Sequence, residues 1–183
     1  MPVKIGAGPE HNFDEPLGLL SDCHRRIERF LAVLSQIAQN ARGRALSEDE
    51  SRSLSTALRY FRNAAPRHTA DEEESLFPRI RACGGAEVAA ALERVEALEA
   101  DHTRANQLHA DVDRIFSKWQ CAAISAEQEE QLRRDLAELE ALYSEHIRIE
   151  DDVLFPFADR LLDSEARLEI GREMAGRRGV RIP

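Results

Sequence analysis

Cysteine is scarce in this sequence, and the three present, Cys23, Cys83 and Cys121, form no CxxC pair. An odd, unpaired set disfavours a disulfide framework and suits a reducing compartment, so a cytoplasmic location is expected. Glycine (9 residues) and proline (7) are also few, aromatics make up only 5%, and no low-complexity tract occurs. That composition sits poorly with a turn-rich β-sandwich and favours helices. No stretch approaches 18 uninterrupted apolar residues, and the amino terminus lacks the apolar core of a secretory signal; no membrane association is expected. Basic residues are outnumbered, 25 Lys and Arg against 34 Asp and Glu, for a net charge of −9. The clustered positive face of a nucleic-acid binder is therefore missing, and the acids read as solvated helix faces. What remains is 43% hydrophobic over 183 residues, enough for one domain with its own core.

Apolar residues recur at three- and four-residue steps along four long segments. The first segment starts near Asp14, with Pro16 in its first turn, and its seam includes Leu17, Leu20, His24, Ile27 and Leu31. The second opens at a capping box, Ser47 to Glu50, and carries Leu58, Phe61, Ala65, His68, Glu72 and Ser75. Pro66 should kink it, and Pro78 should help end it. On the third lie Val95, Leu98, His102, Ala105, His109 and Val112. A second capping box, Ser125 to Gln128, opens the fourth, with Leu139, Tyr143, His146, Glu150, Val153 and Phe157 on the seam and Pro156 marking the end. Asp163 or Ser164 caps a short fifth helix. These segments predict an all-α fold: an antiparallel up-down-up-down four-helix bundle over 14–162, an irregular arm at 1–13, and a short C-terminal helix and tail at 163–183.

Two segments of the chain nearly match. His68-Thr69-Ala70-Asp71-Glu72 and His146-Ile147-Arg148-Ile149-Glu150 each lead into two more acids, one variable residue and Leu-Phe-Pro, at an offset of 78 residues. His24 and His102 obey the same offset. The i, i+4 spacing sets each His and Glu on one helix face, one turn apart. A single histidine on an apolar seam is ordinarily a core or rim residue. Four at matched offsets, two with Glu one turn later, favour a metal site instead. Buried carboxylates are costly to ionise and two would repel, so the layer needs a shared cation. Six ligands exceed the usual four of one Zn²⁺, whereas two metals bridged by both carboxylates use every group. The mixed imidazole and carboxylate set suits iron.

The neighbouring residues have plainer readings. His109 lies one heptad beyond His102, about 10 Å along the axis, too far for the same centre. Tyr143 packs on the seam, with a hydrogen bond near the metals or gating as the alternative. Glu73, Glu74, Asp151 and Asp152 read as solvated residues or outer partners of the ligands. Glu28 reads as a surface residue, since its counterpart is Asn106; Cys23 as a buried small residue; His11 as an exposed arm residue. The Leu-Phe-Pro ends, Leu76 to Pro78 and Leu154 to Pro156, read as packing plus a helix stop that closes the site apolarly.

His24, His68-x-x-x-Glu72, His102 and His146-x-x-x-Glu150, with the Leu-Phe-Pro endings, resemble the hemerythrin-like (HHE cation-binding) family over roughly Pro16 to Arg160. The resemblance implies a bundle holding two iron ions, a non-haem di-iron centre with an oxo or hydroxo bridge, in which Glu72 and Glu150 bridge the irons. Oxygen-carrying members have a second histidine where this chain has Asn106, and an aspartate where it has Glu150. The four-histidine set is more similar to repair-of-iron-centres proteins and other hemerythrin-like stress proteins. The implied function is binding of O2 or NO in oxidative or nitrosative stress response or sensing. Alternatives are a di-iron enzyme reducing NO or peroxide with a redox partner, or repairing iron–sulfur clusters, and iron storage or structural metal binding.

Overall fold

Helix α1 (Pro16–Ala41) carries its proline in the first turn, where the missing N–H has no helical partner to lose. It ends where Arg42 turns left-handed at φ 46°, followed by Gly43 at φ 73°. Helix α2 (Glu48–Asn63) starts at the expected capping box: the Glu50 N–H donates to the Ser47 hydroxyl, and the Ser47 N–H donates to the Glu50 carboxylate. Pro66 does interrupt the segment, since α2 stops at Asn63 and α3 (Ala65–Asp71) begins just before the proline. Then come α4 (Phe77–Ala82), α5 (Ala86–Trp119), α6 (Ala126–Ile149), α7 (Phe155–Leu161) and α8 (Ser164–Arg177). Ser125 and Gln128 form the second capping box, and the Asp163 carboxylate caps α8 by accepting from the Ala166 N–H. The computed structural model describes residues 10–182, with no strand among them. Most of the expected arm, residues 1–9, lies outside the described residues.

The two Leu-Phe-Pro segments do not stop their helices. Each follows a π-helical turn, Glu72–Leu76 and Glu150–Leu154, after which the chain continues as α4 and α7. In each turn the N–H of the phenylalanine reaches back five residues, Phe77 to Glu72 and Phe155 to Glu150. In an unbroken α-helix Pro78 and Pro156 would crowd the carbonyls of Glu74 and Asp152. The extra residue moves each proline into a first-turn position of a fresh α-helix, where it is tolerated. The re-registration also shifts the apolar seam by one residue. Leu154, Phe155 and Ala158 are buried, while the expected seam residues Val153 and Phe157 are only half-buried.

Helix α1 packs on α2, α3, α6 and α8; α5 packs on α2, α4 and α6. At one end the Trp119 indole N–H donates to the Arg44 carbonyl at 2.6 Å, tying the connection after α1 to the end of α5. Two apolar clusters form. One contains Ile27, Leu58, Ala105, Phe116 and Tyr143, the other Leu20, Leu76, Leu98, Leu154 and Met174. On α1 the switch from one cluster to the other falls between Leu20 and Ile27, and on α5 between Leu98 and Ala105. His24 and His102 occupy those gaps. Each buried Leu or Phe contributes about 1.5–3 kcal/mol, so the two clusters hold the intervening polar layer in place.

Helix α8 seals the side of the first π turn. Asp71, fully buried, accepts from Arg178 at 2.6 Å and Arg177 at 3.0 Å. Gly171 lets the backbone of Phe13 lie directly on α8; a Cβ there would overlap the Phe13 carbonyl.

Candidate metal centre

All six side chains singled out in the sequence meet in one buried layer. His24, His68, Glu72 and Glu150 offer donor atoms within 4.8 Å of one another, and Glu72, His102, His146 and Glu150 form a second such group. The two glutamates belong to both groups and are 0% exposed; no histidine among the four exceeds 5%. Glu72 and Glu150 are each the first residue of a π turn, one helical turn beyond His68 and His146. The same turn that accommodates the proline thus carries the ligand at its start.

The imidazole Nε2 atoms surround the carboxylates. His24 and His146 approach Glu150 Oε2 at 3.0 and 3.1 Å. His68 approaches Glu72 Oε1 at 3.3 Å, and His102 approaches Glu72 Oε2 at 3.4 Å. Despite these short approaches the groups are not aligned as hydrogen bonds. All four oxygens of Glu72 and Glu150, and His24 Nε2, are buried without a hydrogen-bond partner among the described residues. Two buried carboxylates left so would be severely destabilising. A cation among them removes the penalty, and the donor set of four imidazoles and two shared carboxylates fits metal ions.

Three of the four rings are fixed from behind by a carboxylate. His24 Nδ1 meets Asp151 Oδ1 at 2.9 Å, His102 Nδ1 meets Glu73 Oε1 at 2.9 Å, and His146 Nδ1 meets Asp101 Oδ2 at 3.3 Å. The Ser21 hydroxyl donates to Asp151 at 2.7 Å and steadies it. With its proton on Nδ1, each such ring presents the Nε2 lone pair inward. His68 differs: its Nδ1 is buried without a partner among the described residues.

The electrostatics follow from these contacts. Burial opposes charge on His24, but Asp151, Glu150 and Glu72 outweigh it and push the imidazole well above its usual range. Burial likewise opposes charge on His102, yet Glu72, Glu150 and Glu73 raise it to about 9. His146 is raised in the same way, chiefly by Glu150 against burial. For His68 burial wins, and the ring falls to about 4. Glu72 is held well below the usual carboxylate range, where the surrounding histidines overcome burial. Glu150 is lowered too, against burial and the repulsion of Glu72. Without metal, protons on His24, His102 and His146 are therefore favoured by the two carboxylates while His68 stays neutral, and a bound cation would displace those protons.

The apolar closure expected from the Leu-Phe-Pro segments is present. Phe155 stacks on His24 with centroids 5.5 Å apart and planes at 11°, and Phe77 stacks on His102 at 6.4 Å and 10°.

Residues outside the six fall as follows. His109 is half-buried and bonded to the Tyr143 hydroxyl, and belongs to neither ligand group. Tyr143 is buried, its ring edge-on to His146 at 6.4 Å. Glu73 and Asp151 serve as outer partners, Glu74 pairs with Arg177 at 3.2 Å, and Glu28 and Asp152 are exposed. Cys23 is buried, with the Arg26 guanidinium 3.3 Å from its sulfur. His11 is not the exposed residue expected. It is half-buried because its backbone N–H donates to the buried Asp22 at 2.8 Å, and its ring packs on Gly18, where a Cβ would come within 2.5 Å. Asp101 and Asp71 escaped the sequence reading. Asp101 directly precedes His102, and an acid at the flank of a ligand is the signal that could have found it; Asp71 has no counterpart in the second half, where Ile149 stands.

Comparison with known proteins agrees with this geometry. A protein of Haemophilus influenzae named only as uncharacterized is 26% identical over 175 residues, spanning 92% of this chain and 93% of that protein. The model of the hemerythrin HHE cation binding domain matches residues 15–158, which contain all six donors. The chain belongs to the hemerythrin HHE cation-binding domain family.

Proposed function

We propose that this chain is a non-haem di-iron protein that binds O2 or NO in the response to, or sensing of, oxidative or nitrosative stress. His24 and His68 would hold one ion, His102 and His146 the other, and Glu72 and Glu150 both. The observation that carries the reading is the set of four buried carboxylate oxygens with no hydrogen-bond partner among the described residues, faced by four imidazoles. Six donors exceed the needs of a single zinc, and this mixture suits iron in a helical core. Iron bound there would supply adjacent redox-active ions, a chemistry suited to capturing a diatomic gas.

The protein's own residues prepare that chemistry. Asp151, Glu73 and Asp101 keep a proton on Nδ1 of their histidines, so that Nε2 stays free. Phe77 and Phe155 exclude water and favour small neutral ligands over hydrated ions.

The same reading takes residues 14–162 as an antiparallel up-down-up-down four-helix bundle, with 163–183 as an appended helix and tail. In support, partners pair in opposite sequence order: Ser21 with Asp151 and Ser35 with Glu140, Arg62 with Asp113 and Arg81 with Glu99. Three free cysteines accord with a cytoplasmic location. No helix among the described residues is long and apolar enough to cross a membrane.

The test is to reduce the iron-loaded protein anaerobically and follow absorbance during stepwise addition of O2 or NO, then degassing. Saturable uptake that reverses on degassing is expected. Sustained consumption of NO, or of peroxide, with an external reductant would replace this reading with an enzymatic one.

A further inference from the structure

The halves of the centre are related by the 78-residue offset in their outer partners as well as their ligands. His24 with Asp151 corresponds to His102 with Glu73, and the stacked phenylalanines correspond likewise, Phe155 on His24 and Phe77 on His102. One pair breaks the relation. His146 has Asp101 at its Nδ1, and the residue 78 positions before Asp101 is Cys23. Cys23 is buried on α1, but its sulfur lies against Arg26 at 3.3 Å, and His68 Nδ1 is left buried with no partner among the described residues.

A metal on His68 Nε2 forces the ring proton onto Nδ1. There it is shut away from water without an acceptor, which is unfavourable. Among the described residues no acceptor fixes the tautomer of this ring, whereas Asp101 does so for His146. Loss of such an outer partner typically weakens metal binding roughly 10- to 100-fold.

We infer that the two metal positions are unequal: the one held by His102 and His146 fills first and binds tightly, the one held by His24 and His68 is the exchangeable position, and Cys23, standing where the other half has Asp101, sets the difference. This rests on the two-metal reading above. A chain with this asymmetry exists in a one-metal form at low metal supply, with the vacancy always on the His68 side.

The experiment is anaerobic titration of metal-free protein with Co²⁺, followed by calorimetry and visible absorption, on the wild type, Cys23→Asp and Asp101→Asn. Repulsion between two cations separates the steps even in a symmetric site, so the comparison between variants decides. In the wild type two steps are expected. Cys23→Asp should tighten the weaker step and narrow the separation by roughly 10- to 100-fold. Asp101→Asn should weaken the stronger step and narrow the separation from the other side. Unchanged separation in Asp101→Asn, with native circular dichroism, overturns the inference, and so does Cys23→Asp if it folds and leaves the weak step as it was. Failure of the wild type to take up any Co²⁺ overturns the two-metal reading itself; two steps that ignore both substitutions overturn only the asymmetry.

Discussion

His109 Nε2 and the Tyr143 hydroxyl meet at 2.9 Å on the edge of the metal layer, with Phe61 stacked on the imidazole at 4.4 Å. Burial alone lowers this histidine to about 4. In the unfolded chain it titrates near 6.5. Between those values the unfolded chain binds a proton that the folded protein does not, so the contribution of this group to stability is complete above about pH 6.5 and is lost as pH falls towards 4. The loss is at most on the order of 3 kcal/mol, because the ring is only half-buried. In His109→Gln that part of the acid sensitivity should vanish: the stability gap between wild type and variant, from urea unfolding of metal-free protein, should shrink from pH 7 to pH 5. Iron content should not change, because His109 lies in neither ligand group. A gap independent of pH would show that folding does not lower the proton affinity of this histidine.

Phe77 is 0% exposed and covers His102. Phe77→Ala should cost about 3–5 kcal/mol through lost contacts and a cavity. Urea unfolding of the metal-free protein measures this directly. A loss under about 1 kcal/mol would mean that the layer collapses around the gap and that the aromatic lid is dispensable.

Asp71 stands between α8 and the first π turn, held by Arg177 and Arg178. Arg178→Ala removes the shorter contact and weakens compensation of a buried carboxylate, so a loss of about 2–3 kcal/mol is expected, below the full cost of an orphaned charge because Arg177 remains. Adding Asp71→Asn to Arg178→Ala should recover part of that loss. Strict additivity in the double-mutant cycle would show that the pair does not interact.

Gly171→Ala forces a methyl group into the Phe13 carbonyl, since the obstacle is backbone and cannot rotate away. A destabilisation of about 1–3 kcal/mol is expected, read as a lowered thermal midpoint. Gly176→Ala, on the same helix with nothing among the described residues near its Cβ, is the control and should be neutral or stabilising.

The convergence of the six side chains was legible in the sequence because each falls on an apolar seam and because the pattern is duplicated. Capping boxes at Ser47 and Ser125 and the break at Pro66 were legible for a different reason: each depends on local backbone chemistry alone. The π turns were not. Pro78 and Pro156 carry the same local signal whether a helix ends or slips by one residue, and burial of Leu76, Phe77, Leu154 and Phe155 selects the slip. Asp101 resembled any solvated acid until His146 was placed beside it from a different helix. His11 was misread because its anchor, Asp22, is a tertiary partner.

Iron content per folded chain, after anaerobic reconstitution and removal of loosely held metal, tests the central claim most directly. The shared-carboxylate centre predicts about two iron ions per wild-type chain and loss of most of them in Glu72→Ala or Glu150→Ala, with helix content retained. A natively folded wild type that keeps no more than trace iron would contradict it, as would either variant loading as fully as the parent.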